Sequence, residues 1–277
     1  AEDPMTEAEE TEPEEQPQTE EETEAPTAEA ESVSPMLDDL EKDLEETVAT
    51  LPSGQLSEEQ KKLFYDCVLH GWSGFCLTEP GAGSDAAGVR TTAVEDGDEY
   101  VINGTKCFIT NGGIADLYCV FASTDPSQGV KGISCFLVER SRPGVSIGKI
   151  ENKLGIRLSN TAEVIFEDVR VPKDHLVGEL NKGFKIAMNT LDISRLNVGA
   201  MGVGLAMRCL EEAITYAKTR VQFGKPIAKL GAIQTKIADM GMDVESTNQL
   251  VLYAAELMDA KQPFARISCM AKCRGAD

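Results

Sequence analysis

Apolar positions follow two different periods along the chain. From Gly74 to Pro172 they recur at every second residue in short runs: Phe75 to Leu77, Val89 to Val94, Tyr100 to Ile102, Cys107 to Ile109, Leu117 to Ala122, Ile133 to Val138, Val145 to Ile147 and Glu163 to Phe166. Gly, Pro, Asn or Asp separates them, as it separates strands. Eight short strands in about a hundred residues predict an antiparallel barrel or sandwich rather than a parallel sheet. Asn103-Gly104, between Tyr100-Val101-Ile102 and Cys107-Phe108-Ile109, is the strongest short hairpin signal in the chain.

Beyond this region the period becomes helical. One helix is expected from about Lys182 to Thr219, roughly 55 Å long at 1.5 Å per residue, and needs other helices along it. Its middle, Val198-Gly199-Ala200-Met201-Gly202-Val203-Gly204-Leu205-Ala206, is small-residued and calls for a closely packed partner. Gly224-Lys225-Pro226 interrupts the pattern. A second helix is expected over about Ala232 to Asp259 on a stripe of Ile233, Ile237, Met240, Val244 and Val251, and Pro263 precedes a last one. Upstream, Ser57-Glu58-Glu59-Gln60 is a capped start for a helix reaching about Leu69, with Leu63, Phe64, Cys67 and Val68 on its apolar face. Residues 36 to 50 also have helical spacing. The fold class read from this pattern is α+β, an antiparallel β-barrel or sandwich followed by long helices.

Charge changes the picture at the N-terminus. The net charge is −21, yet residues 1–50 carry 20 acids against Lys42, a net of −19, which leaves −2 for the other 227 residues. The first 34 residues are Glu, Thr, Pro and Ala with almost no large apolar side chain, so a disordered acidic tail is expected there. It has neither the charged nor the apolar region of a signal peptide. No basic patch with interleaved aromatics points to nucleic acid. No apolar run is long enough to span a bilayer. His70 and His175 are the only histidines, little material for a zinc site or a His-based triad. Of eight cysteines, Cys67, Cys76, Cys107, Cys119, Cys135 and Cys209 sit in apolar patterns, and none of the eight forms C-x-x-C with another. Reduced, buried thiols are expected, in a cytoplasmic (bacterial) or mitochondrial-matrix compartment.

The most distinctive stretch is Gly74-Phe75-Cys76-Leu77-Thr78-Glu79-Pro80-Gly81-Ala82-Gly83-Ser84-Asp85, a short strand running into a glycine loop. Exposed amides with the Thr78 and Ser84 hydroxyls suit a polyanionic or carbonyl-rich ligand such as a nucleotide. The plain alternative is a tight turn. A dinucleotide-binding βα turn is not expected: the next glycine after Gly81-Ala82-Gly83 is Gly88, and no hydrophobic helix follows.

Together with Asn103-Gly104-Thr105-Lys106, Phe108-Ile109-Thr110-Asn111-Gly112-Gly113, Lys153-Leu154-Gly155-Ile156-Arg157, Phe166-Glu167-Asp168-Val169-Arg170-Val171-Pro172, Leu191-Asp192-Ile193-Ser194-Arg195 and Arg220-Val221-Gln222-Phe223-Gly224, this stretch resembles the acyl-CoA dehydrogenase family, most closely its short-chain or butyryl type. The resemblance runs from about residue 56 to 277. Beyond the acidic tail over 1–50, which composition alone sets apart, it implies a remnant of an N-terminal helical domain over 51–72, a β middle domain over 73–175 and part of a C-terminal four-helix-bundle domain over 176–277.

The resemblance implies FAD as cofactor, because no ordinary side chain accepts a hydride. It places Phe75, Leu77, Thr78, Gly83 and Ser84 along FAD, with Thr78 near the pyrimidine edge of the flavin. Phe108 lies against a ring face in a position often held by Trp, beside Ile109, and Thr110 reaches the N5 edge. Without the flanking Thr110-Asn111-Gly112, Phe108 reads rather as strand core. Ser84, Asp192 and Arg195 correspond to acyl-CoA contacts, although the last two, three apart on a helix, also read as a surface ion pair. Arg220, Gln222 and Phe223 correspond to contacts with the FAD of a neighbouring subunit, or Arg220 is a solvated arginine at a helix end. The implied reaction is α,β-dehydrogenation of short-chain acyl-CoA thioesters, with electrons passed to an electron-transfer flavoprotein by a homo-oligomer, a tetramer in intact relatives. The alternative is a non-catalytic nucleotide- or protein-binding module.

Two departures concern chemistry. Leu230-Gly231 stands where the family has Phe-Gln near the flavin nucleotide, and Ser194 stands where isovaleryl and long-chain members place their catalytic Glu. In the other members that Glu belongs to segments past Asp277. The resemblance therefore implies no catalytic base in this chain, which is expected to be inactive as it stands.

Overall fold

The computed structural model describes residues 57–63 and 71–277. The expected acidic tail and the helix over 36–50 lie outside the described residues, as do His70, Cys67 and the end of the helix begun at Ser57. Seven strands form one curled sheet: β1 (Ser73–Cys76), β2 (Thr92–Asp96), β3 (Glu99–Thr110), β4 (Leu117–Ser123), β5 (Ile133–Glu139), β6 (Val145–Ile150) and β7 (Thr161–Pro172). Their order is β1-β4-β2-β3-β7-β6, with β5 on β4. The α+β expectation holds, but the sheet is mixed. β1 runs parallel to β4 from Ser73 opposite Leu117 to Cys76 opposite Val120, and β2 meets β4 in parallel at Thr92 and Ser123. The remaining pairings are antiparallel.

Strands β4 and β5 are apolar at nearly every position because both of their faces are covered. Tyr118, Val120, Ala122, Phe136 and Val138 point into the curl with Ile102, Val164 and Phe166. Leu117, Phe121, Ile133, Cys135 and Leu137 point outward, under Ala187 and its helical neighbours Phe184, Met188 and Leu191. The outer edge of β5 is closed by the amide of Val177, which donates to the Cys135 carbonyl at 2.8 Å.

Asn103-Gly104 does not turn the chain. β3 runs straight through it, and the hairpin turn falls at Gly97-Asp98, with Gly97 at φ 65. The side chain of Asn103 instead pairs across to β7: its Nδ2 donates to Asp168 Oδ1 at 3.0 Å and its Oδ1 accepts from the Asp168 amide at 2.8 Å. The register slips between Ile102 and Gly104, a β-bulge made where an Asn-Gly pair has a polar partner at hand. Glycine is required there because a Cβ would lie 2.4 Å from Thr91 Oγ1 and 2.8 Å from its Cα. Backbone cannot yield as a side chain can. Gly104→Ala is expected to lower unfolding stability by about 3 kcal/mol, the upper end for overpacking; equilibrium urea unfolding measures it, and a loss under about 0.5 kcal/mol, the scale of surface substitutions, would refute the tight contact.

Three helices follow: α1 (Gly183–Thr219), α2 (Gly231–Asp259) and α3 (Ala265–Ala276). The partner expected for the small-residue stretch of α1 is α3, since a Cβ on Gly202 would lie 1.9 Å from the Gly275 carbonyl oxygen and one on Gly199 would lie 3.0 Å from Ala271. On α2 the expected stripe is the half-buried face, continued by buried Thr247 and Ala254. Between α1 and α2, Val221–Gln222 (β8) and Lys225–Pro226 (β9) make a two-residue hairpin with Phe223 and Gly224 both at positive φ. The start at Ser57 is a capping box: the Gln60 amide donates to Ser57 Oγ at 3.2 Å and the Ser57 amide to Gln60 Oε1 at 2.9 Å. Gln60 Nε2 also donates to the Leu176 carbonyl at 2.7 Å, tying this helix to the segment after β7.

Among the described cysteines all are free thiols. Cys76, Cys107 and Cys135 are buried, whereas Cys209, Cys269 and Cys273 are exposed. For Cys209 this corrects the expectation, because α1 leaves that side uncovered. No helix among the described residues is long and apolar enough to cross a membrane.

Candidate active site

Three pieces of chain meet around a cleft of about 470 Å³. The end of β1 and its glycine loop supply Phe75, Leu77, Thr78, Gly83, Ser84 and Ala86; the end of β3 supplies Phe108, Ile109 and Thr110; and α1 supplies Met188, Leu191 and Arg195. The end of β3 owes its display to a second register slip, between Lys106 and Ile109. In a regular strand Lys106, Phe108 and Thr110 would share one face. Here Phe108 has φ 56, so Lys106 points inward and is fully buried while Phe108 projects with 63% of its surface exposed. A bulky residue at positive φ is strained, and such strain persists only where the surroundings enforce it.

Beneath the cleft floor lies a buried ion pair. Lys106 Nζ donates to Glu79 Oε1 at 2.8 Å, to the Leu77 carbonyl at 3.1 Å and to the Phe121 carbonyl at 2.6 Å. Glu79 accepts in addition from the amides of Arg90 at 2.7 Å and Thr91 at 3.0 Å. Burial pushes the Lys106 pKa below the ordinary lysine range against the pull of Glu79. Burial acts to raise the Glu79 carboxyl, but the Lys106 ammonium and the hydrogen bonds from Thr91 and Arg90 outweigh it, and its pKa lies below the usual value. Both charges are thus committed to structure.

The loop itself is a tight turn, as Glu79 and Ala82 exchange backbone hydrogen bonds at 3.1 Å. Yet a Cβ added at Gly81 or Gly83 would meet nothing within 4 Å, and neither glycine has positive φ. The fold therefore does not demand glycine at either place; a ligand lying against the backbone would. Among the described residues the hydroxyls of Thr78, Ser84 and Thr110 have no hydrogen-bond partner and remain available. No Asp or Glu is among the described residues lining the cleft.

Phe75, Leu77, Thr78, Gly83, Ser84, Phe108, Ile109, Thr110 and Arg195, singled out in the sequence, all line this one cleft. Asp192 lies one helical turn before Arg195 and holds its guanidinium in a salt bridge. Arg220, Gln222 and Phe223 lie elsewhere, on the exposed β8–β9 hairpin, with Phe223 87% exposed. Ala86, Met188 and Leu191 were not expected in the lining. The signal for the last two was their spacing from Arg195, seven and four residues back along one helix face.

Comparison with known proteins gives this architecture a family. Residues 74–169 match the acyl-CoA dehydrogenase middle domain and residues 181–277 the acyl-CoA dehydrogenase C-terminal domain. The short-chain specific acyl-CoA dehydrogenase of Rattus norvegicus mitochondria is 51% identical over 203 residues, 73% of this chain and 49% of that protein. The caffeyl-CoA reductase-Etf complex subunit CarC of Acetobacterium woodii is 48% identical over 218 residues, 78% of this chain and 58% of that one. The butyryl-CoA dehydrogenase structure from Megasphaera elsdenii superposes with a TM-score of 0.77 at 46% identity, over 80% of this chain and 58% of that one. The chain belongs to the acyl-CoA dehydrogenase family, whose cofactor is FAD. It spans about half the length of the curated relatives it matches.

Proposed function

We propose that this chain carries the flavin- and thioester-binding part of a short-chain acyl-CoA dehydrogenase-type oxidoreductase, with FAD held in the cleft between β1, β3 and α1. The observation that carries the reading is the convergence there of a projecting aromatic ring, three hydroxyls without internal partners and a glycine loop open to a ligand. Bound FAD supplies the hydride acceptor that side chains lack. Phe108 offers a flat face for stacking, Thr78 and Thr110 offer donors to the polar edge of a flavin, and Gly83 with Ser84 lets backbone amides approach it. Arg195, oriented by Asp192, offers a guanidinium to the polar part of a thioester, while Leu191 and Met188 exclude water beside it. The hairpin residues Arg220, Gln222 and Phe223 project away from this cleft and serve the cofactor of a second copy, and an electron-transfer flavoprotein exchanges the electrons. That the described residues of the cleft lining include no carboxylate favours a chain that binds both ligands without supplying the base for turnover.

The test is FAD affinity by fluorescence titration. Replacing both Thr78 and Thr110 by Val keeps shape and removes two hydrogen bonds of about 0.5–1.5 kcal/mol each, so affinity is expected to fall about tenfold or more. Unchanged affinity would place the cofactor outside this cleft.

A further inference from the structure

The sheet forks directly under the cleft. β1 is paired to β4 as far as Cys76 and Val120. Two residues later the chain has parted from β4: the Thr78 carbonyl accepts from the Cys107 amide of β3 at 2.9 Å, and β4 takes up β2 at Ser123. At the parting point the carbonyls of Leu77 and Phe121 lie within reach of one side-chain donor. The ammonium of Lys106 stands there and donates to both, and its third hydrogen bond goes to Glu79. Glu79 in turn holds the amides of Arg90 and Thr91, where the chain enters β2. One buried ion pair thus joins all four strands at the fork.

The fork decides what the cleft displays. Thr78 faces the cleft because β1 has left β4 for β3 at that residue. Phe108 and Thr110 face it because the bulge that turns Lys106 inward reverses the alternation beyond it. We infer that Lys106 and Glu79 are positioning residues for the cofactor site, setting the Thr78 floor and the Phe108 wall without touching the ligand, and that a charged donor at the fork is needed beyond its effect on stability. This rests on the cofactor reading above. Neither side chain lines the cleft. An uncharged plug of similar shape could keep the fold by removing both buried charges together, but it could not donate to two diverging carbonyls.

The experiment compares the unaltered chain with Lys106→Met alone and with the double variant Lys106→Met/Glu79→Gln, measuring thermal melting, FAD affinity by fluorescence titration and the visible circular dichroism of bound flavin. The expected result is a double variant that melts above Lys106→Met alone, since no unpaired charge stays buried, yet binds FAD about tenfold or more weakly than the unaltered chain, with an altered dichroic band because the ring sits against a displaced Phe108. A folded double variant with native affinity and an unchanged band would overturn the inference. If the unaltered chain binds no FAD, the cofactor reading falls first and the inference with it. Should the double variant not fold, hydrogen exchange on the unaltered chain decides. The amides of Arg90 and Thr91 bond to Glu79 and lie outside the cleft lining, so saturating FAD is expected to slow their exchange together with that of Cys107. Binding that leaves those amides unchanged would also overturn the inference.

Discussion

Lys106→Met alone is expected to lower the unfolding free energy by about 3–5 kcal/mol, the scale for breaking a buried pair by removing one partner. The loss comes from two sources. The Leu77 and Phe121 carbonyls lose their shared donor, and Glu79 remains 6% exposed with a charge that only two amides then compensate. Acid unfolding distinguishes these sources. In the unaltered chain the Glu79 pKa lies below its ordinary value, so the folded state holds its proton less tightly than the unfolded one. Its contribution is complete above the usual glutamate range, about pH 4.3, and is lost as pH falls through the lower folded value. Removing the ammonium removes the larger share of that lowering. The acid limb of a stability profile between pH 5 and about pH 2 is therefore expected to be flatter in Lys106→Met than in the unaltered chain. A destabilisation below about 1 kcal/mol, the scale of an exposed pair, would show that the pair contributes no more than a surface salt bridge.

Sequence periodicity located the helices closely because their limits have local causes. Asn181 turns the chain at φ 64 just before Gly183 opens α1, and Arg220 leaves helical conformation to start the β8–β9 hairpin. The sheet was less legible where non-local partners decide. Asn103-Gly104 carries the composition of a turn, yet Asp168, distant in sequence, captures the Asn103 side chain and the chain bulges instead. Likewise nothing within β1 announces a parallel partner, because parallel pairing is made by a strand more than forty residues away. In the cleft, the glycine loop and the Phe108-Ile109-Thr110 run stood out as motifs. Met188 and Leu191 did not, since on a helix they pass for ordinary apolar residues. Lys106 was hidden for another reason. A lysine in a strand reads as exposed, and only the convergence of two carbonyls and a carboxylate makes its burial tolerable.

Loaded with FAD under anaerobic conditions, this chain is expected to leave its flavin oxidised on addition of butyryl-CoA. Removing the weakly acidic proton beside a thioester requires a base within about 2.6–3.2 Å of it in the bound complex. No carboxylate is among the described residues lining the cleft. Of the acids next to lining residues, Glu79 is held by Lys106 and two amides, Asp192 is held by Arg195, and Asp85, between Ser84 and Ala86, is exposed and not itself part of the lining. Ser194, between cleft-lining Leu191 and Arg195, turns its hydroxyl back onto the Leu191 carbonyl at 3.0 Å. General base assistance contributes about a hundredfold to ten-thousandfold, so bleaching should be slower by that order than in the same chain given a carboxylate beside the cleft. Ser194→Glu supplies one on a helix that is already formed, and it is expected to restore measurable bleaching. FAD titration run in parallel separates loss of chemistry from loss of binding, since the base contributes nothing to cofactor affinity. Rapid bleaching in the unaltered chain would show that another residue takes the proton, and the first to replace would be Asp85, by Asn, because it lies between the lining residues Ser84 and Ala86 and is exposed.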